Sequence, residues 1–195
     1  MESLSLAFTG GWASGINAYL LVLVLGTADR LGDVAEIPDV LGRSDVLAVA
    51  ALMFALEFVA DKIPYVDSTW DAISTLIRPT VGAVIGVLLA GDATSLEQAV
   101  LGVVGGGTAL ASHLVKAGSR LAINTSPEPV TNITASLAED VAVLGVVWVA
   151  IEHPRAAAGI AGLLLAGGLI VLLLLARLVR RGWRRWKHRR DPAWT

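Results

Sequence analysis

Several ionisable side chains of this 195-residue chain interrupt long apolar stretches, and their types and spacing suggest what they can do. Glu57 and Asp61 are four residues apart and share one face of a helix. Glu139 and Asp140 are adjacent, Arg78 stands alone before Pro79, and His113 and Lys116 occupy neighbouring helical turns, with Arg120 one turn further on. Asn17 adds an uncharged donor and acceptor, and Lys62 follows Asp61 directly. A charge inside hydrocarbon costs about a few kcal/mol on insertion scales, so such groups face a bundle interior or a water path.

Carboxylates from separate segments can pass a proton or bind a cation, and His113 is a proton acceptor near neutral pH. An oxygen-ligand cation site built from Glu57, Asp61 and Glu139 or Asp140 is chemically reasonable. A thiolate site is excluded because the chain has no Cys. The other two histidines, His153 and His188, fall on opposite sides of the expected membrane. No catalytic set and no cofactor motif stands out. The competing account is structural: the charges neutralise one another as ion pairs, with Arg78 held by Glu57 or by a carboxylate of the fifth span, and serve helix registry alone.

The elements that must position these groups are helices in a membrane. Hydrophobic residues make up 55% of the chain and charged residues 16%, with a mean hydropathy of +0.69, outside the usual soluble range. Ala, Gly, Val and Leu dominate, a mixture suited to close helix packing in lipid. A hydrocarbon core about 30 Å thick needs roughly 20 helical residues, and about six windows of that kind are present. They run from about Leu6 to Ala28, Val46 to Asp61, Asp67 to about 91, Leu96 to Ala117, Ile133 to Ile151 and Ala156 to Ala176. The expected fold is therefore all-α and polytopic, with a transmembrane domain over 1–176 and a basic tail over 177–195. The N-terminus lacks a basic n-region, so the first span is expected to stay in place rather than act as a cleaved signal.

The third window has a special feature. Pro79 removes a backbone donor and disfavours α geometry at Arg78, which predicts two half-helices broken at Arg78-Pro79. Pro64 closes the second window. Asp67 or Ser68 can cap the third, with Asp71 near the positive end of its dipole. Glycine-rich first and fourth spans followed by carboxylate-bearing second and fifth spans are compatible with two inverted three-helix repeats, 1–92 and 93–176. Ala158, Gly162 and Ala166 form a small-residue ridge on the sixth span, suited to packing within the protomer or to a homo-oligomer contact.

Charge segregation sets the expected orientation. Eight of the fifteen Lys and Arg residues lie between Arg177 and Arg190. With six crossings they share a side with Lys62, Lys116 and Arg120, whereas Asp29, Asp33, Glu36, Asp39, Asp45, Asp92 and Glu97 take the other. The positive-inside rule then puts both termini in the cytoplasm, in a cytoplasmic (cell inner) membrane. The tail, with Trp183 and Trp186 among its arginines, reads as a grip on anionic lipid headgroups rather than on nucleic acid. The sequons at Asn124 and Asn132 carry little weight on that side.

The string Glu57-Phe-Val-Ala-Asp61-Lys62-Ile-Pro64-Tyr-Val-Asp67-Ser68, with Ile77-Arg78-Pro79-Thr-Val-Gly82, His113-Leu-Val-Lys116-Ala-Gly-Ser-Arg120 and Ser136-Leu-Ala-Glu139-Asp140, resembles a prokaryotic integral-membrane family known as domain of unknown function 4126. The resemblance covers most of the chain before the tail and marks these charged positions as distinctive, without implying an activity. A fainter similarity links Glu57 to Asp61 with the Glu-x-Gly-Asp-Lys/Arg-Thr/Ser motif of Golgi-type manganese/calcium exchangers. Here the spacing is one residue longer, Ala60 replaces the glycine and Ile63 the hydroxyl. The combined expectation is a small cation- or proton-coupled transporter or channel. In it, a single polar layer in the cytoplasmic half of the bundle forms the path, lined by Glu57, Asp61, Glu139, Asp140, His113 and Asn17, and Lys62, Arg78, Lys116 and Arg120 balance charge or gate. The alternatives are a membrane scaffold or assembly protein, and a protein handling lipid phosphates through its cationic side chains.

Overall fold

The computed structural model describes residues 2–32, 34, 36–125 and 129–190; the side chains of residues 129 and 182–190 are outside the described set, as is most of the tail expectation. Among the described residues the chain is all-helical. It comprises α1 (Glu2–Gly32), a short 3₁₀ turn (Asp39–Gly42), α2 (Ser44–Ala60), α3 (Val66–Leu88), α4 (Ser95–Ile123), α5 (Pro129–Glu152) and α6 (Pro154–Arg190). Five of these, α1, α3, α4, α5 and α6, are long and apolar enough to cross a membrane by length and composition. α2 has 17 residues, about 25 Å at 1.5 Å per residue. Leu76, Val103, Trp148 and Leu163 stand on outward faces, as expected where the outer solvent is lipid. The protein is a polytopic helical membrane protein.

The centre of the bundle is an antiparallel pair, α3 on α4, with the first half of α1 laid along them. Their backbones approach through glycine. A Cβ on Gly105 would overlap the Gly82 carbonyl, one on Gly11 would overlap the Gly105 carbonyl, and one on Gly86 would overlap that of Leu101. Small residues at these crossings replace the hydrophobic drive that lipid cannot supply. An apolar core of Trp12, Leu21, Leu25, Ile85, Val143 and Val147 fills the half of the bundle nearest Glu2 and Glu152.

α1 departs most from expectation. Asn17 has φ −150° and ψ 94°, an extended residue in the middle of 31 helical ones. A straight helix of this length would separate its ends by about 45 Å. Instead Glu2, Leu6 and Thr9 of the first arm line one cavity with Leu21, Leu25, Val34 and Ile37, beside Glu152 and Pro154. Glu2 and the residues that follow Gly32 are therefore at the same end of the bundle, and α1 is a V-shaped re-entrant hairpin with its tip at Asn17. Glycines at 10, 11 and 15 weaken the helix before the tip. Asn17 then caps the second arm, its Oδ1 accepting from Leu20 N at 2.9 Å.

Two expectations change as a result. The predicted break at Arg78-Pro79 is absent: α3 is one continuous helix with Pro79 inside it. The proline removes a single donor, and hydroxyls take up neighbouring carbonyls: Thr75 donates to Asp71 O at 2.9 Å and Thr80 to Leu76 O at 2.7 Å, while Ser14 donates to Arg78 O at 2.7 Å. Glu2 lies beside Arg155 at the start of α6, and α6 runs away from there, so Glu2 and Arg181 occupy opposite ends of the bundle. The sequence count gave α1 a straight run from one end of the bundle to the other; the bend at Asn17 brings its two ends to the same end instead. In α6 the buried small residues are Ala157 and Ala161, not the neighbouring ridge of Ala158, Gly162 and Ala166, because the adjacent face of the helix turns inward.

Candidate functional site

The charged residues come together in the half of the bundle away from Glu2, below the hairpin tip. Polar residues recur along α3 at Asp67, Asp71, Ser74, Thr75 and Arg78, and along α4 at Ser112, His113, Lys116, Arg120 and Asn124. Both series have the three- and four-residue spacing that keeps them on one face. From His113 to Asn124 the stripe is about 16 Å long at 1.5 Å per residue, so the groups form a column rather than a single layer. α2 adds Glu57 and Asp61, and α5 adds Glu139 and Asp140.

Seven groups form one ion-pair network. Arg78 Nη2 lies 2.7 Å from Glu57 Oε1, and its Nη1 lies 2.9 Å from Asp71 Oδ1. Lys116 Nζ reaches Asp61 Oδ2 at 2.5 Å, Glu57 Oε1 at 3.3 Å and Glu139 Oε2 at 3.6 Å. Arg120 Nη2 holds Glu139 Oε2 at 2.6 Å and Asp61 Oδ2 at 3.9 Å. All are almost completely buried except Glu139, whose side chain is 20% exposed. In a low-dielectric interior each such charge needs a partner. Nevertheless Glu57 Oε2, Asp61 Oδ1 and Asp71 Oδ2 are buried without a hydrogen-bond partner.

The hairpin tip closes the top of this column. The break at Asn17 frees carbonyls at the end of the first arm, the negative end of its dipole. Ile16 O accepts from Lys116 Nζ at 3.0 Å, Gly15 O from Arg78 Nη1 at 3.4 Å and Trp12 O from Ser112 Oγ at 2.9 Å. Asn17 Nδ2 donates to Asp140 Oδ1 at 2.9 Å, which ties α5 to the tip. Asp140 thus sits on the hairpin side and makes none of the ion pairs.

His113 is fixed by its neighbours. Arg78 Nη1 can only donate, so His113 Nδ1, 2.9 Å away, accepts; Thr75 Oγ1 gives its own proton to Asp71 O, so His113 Nε2 donates to it across 3.0 Å. In this arrangement the imidazole is neutral with its proton on Nε2, and it braces Arg78. Lys62 stays at the rim: its Nζ donates to Phe58 O at 2.8 Å and Ser136 Oγ at 3.3 Å and lies 2.9 Å from the Phe58 ring centroid. Pro64 lies in the turn between α2 and α3, where Tyr65 takes φ 68°.

At the far end, Asn124 Nδ2 donates to Asp67 Oδ1 and Ser68 Oγ, both at 2.8 Å, and its Oδ1 accepts from Asn132 Nδ2 at 3.2 Å. Both sequon asparagines are therefore structural. Asp71, Ser14, Thr75, Ser112, Asn124 and Asn132 were not singled out as site residues in the sequence. The helical spacing of the α3 and α4 polar stripes was the available signal. Among the described residues no group of three His, Cys, Asp or Glu side chains gathers as a metal cage, so the four carboxylates considered for a metal do not form one. Glu57 and Asp61 face ammonium and guanidinium groups, and Asp140 faces an amide.

A cavity of about 250 Å³ opens between α1, α4, α5 and α6, with Lys116, Ser119 and Glu139 on its polar side and Leu164, Leu165 and Val115 among its walls. The chain matches the model of a family described as a domain of unknown function, DUF4126, over residues 4–176. The chain belongs to the DUF4126 family. No curated protein and no solved structure matches it. The match takes in the re-entrant hairpin and every charge of the column, so the site belongs to the DUF4126 region and not to the tail.

Proposed function

We propose that this protein is a small membrane transporter or channel that moves a cation or couples to protons, with the charged column as its path. One observation carries the reading. The ion-pair network holds four carboxylates, Glu57, Asp61, Asp71 and Glu139, against three cations, Arg78, Lys116 and Arg120, with His113 neutral. Asp140 and Lys62 leave the difference unchanged, and Asp67, buried at the far end and held by the neutral Asn124, adds to the negative side. Uncompensated negative charge in a buried network is costly, and uptake of a proton or a cation removes the cost. A purely structural network has no reason to keep the imbalance. The re-entrant hairpin agrees with this, since broken helices at mid-membrane serve many transporters as ion sites.

Glu139 is the natural point of exchange, being the partly exposed carboxylate of the network and facing the cavity beside α6. That cavity also suits the rival reading, a lipid phosphate drawn to Lys116. Lys116 already contacts Asp61, Glu57 and Glu139, and an added anion would enlarge the negative excess, so the cation reading is preferred. The basic tail end is cytoplasmic by the positive-inside rule, which puts the hairpin mouth on the opposite face of the cytoplasmic membrane.

The test is ion flux into proteoliposomes across a panel of cations and pH gradients, with the parent compared with Asp61→Asn and Glu139→Gln. The reading expects flux in the parent and a loss of at least tenfold in both variants, with folding checked by gel filtration. Absence of any flux in the parent supports the scaffold instead.

A further inference from the structure

The hairpin encloses a second cavity that the charged column does not use. It lies between the two arms of α1, on the Glu2 side of the tip, with a volume of about 140 Å³. At ~30 Å³ per water this is room for about four to five waters, the size of a ligand of about five heavy atoms. Leu6, Leu21, Leu25 and Val147 make its walls apolar. Two features are not apolar. Thr9 lines the cavity, is 1% exposed, and its Oγ1 has no hydrogen-bond partner. Glu2, Glu36 and Glu152 form the rim; Glu2 pairs with Arg155 at 3.7 Å, while Glu36 and Glu152 make no ion pair among the described residues.

We propose that the cavity between the arms of α1 binds a small organic ammonium ion. Its charged head is held at the Glu36 and Glu152 rim, its short alkyl chain lies against the apolar walls, and a polar atom of the ligand or an accompanying water satisfies Thr9 Oγ1. The sign follows from the rim and from the whole face around it. Glu2, Asp29, Glu36, Asp39, Asp45, Asp92, Glu97 and Glu152 outnumber Arg30, Arg43 and Arg155 there, a field that concentrates cations. The apolar walls favour an alkylammonium over a bare metal ion, which needs several oxygen ligands that the cavity lacks. A neutral apolar occupant would leave the Thr9 hydroxyl unsatisfied, at a cost that a ligand with a polar atom avoids.

The proposal gives the transport reading a substrate class, but binding stands independently of it. The test is equilibrium dialysis of radiolabelled n-butylammonium against the full chain in neutral phosphatidylcholine nanodiscs, which keep headgroup charge out of the measurement. Saturable binding is expected, resistant to excess butanol and sodium chloride. The Glu36→Gln/Glu152→Gln variant should weaken it at least tenfold, and Thr9→Val severalfold, at unchanged melting temperature. Absence of saturable binding, full competition by butanol, or affinity unchanged in both variants would overturn it. If butylammonium binds while no ion crosses in proteoliposomes, the cavity survives and the transport reading falls. If ions cross and butylammonium does not bind, the cavity alone is refuted.

Discussion

Removing a cation from the column should hurt far more than removing a carboxylate, because the network already has one negative charge too many. Arg78→Met is the sharpest case. It deletes the 2.7 Å contact with Glu57, the 2.9 Å contact with Asp71 and the 2.9 Å contact with His113. Glu57 keeps Lys116 at 3.3 Å, but Asp71 loses its one ion-pair partner, and the imbalance grows to four carboxylates against two cations. Breaking a buried pair in this way costs about 3–5 kcal/mol. At about 2–4 °C per kcal/mol for a chain of this size, the melting temperature should drop by roughly 6–20 °C. Glu57→Gln keeps the shape, can still accept from Arg78 through its amide oxygen, and brings the network to three against three. It should cost less than about 2 kcal/mol, near the value of a single hydrogen bond to a charged group. Thermal unfolding in one detergent, followed by gel filtration and by scattering, measures both. If Glu57→Gln proves as destabilising as Arg78→Met, or more so, the charge excess is not a property of the folded protein and the reasoning fails.

Other consequences follow from the hairpin and its packing. Asn17→Ala removes both the cap on Leu20 N and the bond to Asp140, and should lower stability by about 1–2 kcal/mol, read as a melting shift. Gly105→Ala places a methyl group against the Gly82 carbonyl and should abolish or sharply reduce the yield of folded protein, whereas Gly107→Ala, with open space around it, should be neutral by the same yield assay. Because the chain has no Cys, single cysteines at Ser3 and Arg181 can be labelled by an impermeant maleimide, and they should react from opposite sides of sealed vesicles. Labelling of both from one side would contradict the re-entrant reading of α1.

The helices were legible because length and apolarity in lipid leave few alternatives: each of the six windows begins within four residues of a helix start, while α4 and α6 run on past the expected ends, α6 as far as Arg190. The meeting of Glu57, Arg78, Lys116, Arg120 and Glu139 was legible for a related reason: charge within an apolar span must turn inward. The location of the break was not. Pro79 is the stronger local breaker, yet its cost is limited to one lost donor, and the contacts of Arg78 with Glu57, Asp71 and His113 hold the helix in place. Asn17 carries no comparable local signal, and the break there depends on tertiary contacts, namely Lys116 and Arg78 meeting the freed carbonyls of Ile16 and Gly15. Asp71 was legible only as a favourable charge at a helix start and not as a member of the network, because a carboxylate in the first turns of a helix has a sufficient explanation in the helix dipole.

The surplus carboxylate of the column can be observed directly by infrared difference spectroscopy of the protein in nanodiscs as pH and cation concentration are changed. The account predicts a carboxyl band that appears on proton uptake or is suppressed by added cation, and that is lost when Glu57, Asp61, Asp71 and Glu139 are replaced by amides one at a time in at least one case. A spectrum with no such band, equally insensitive to pH and to every cation tried, would contradict it.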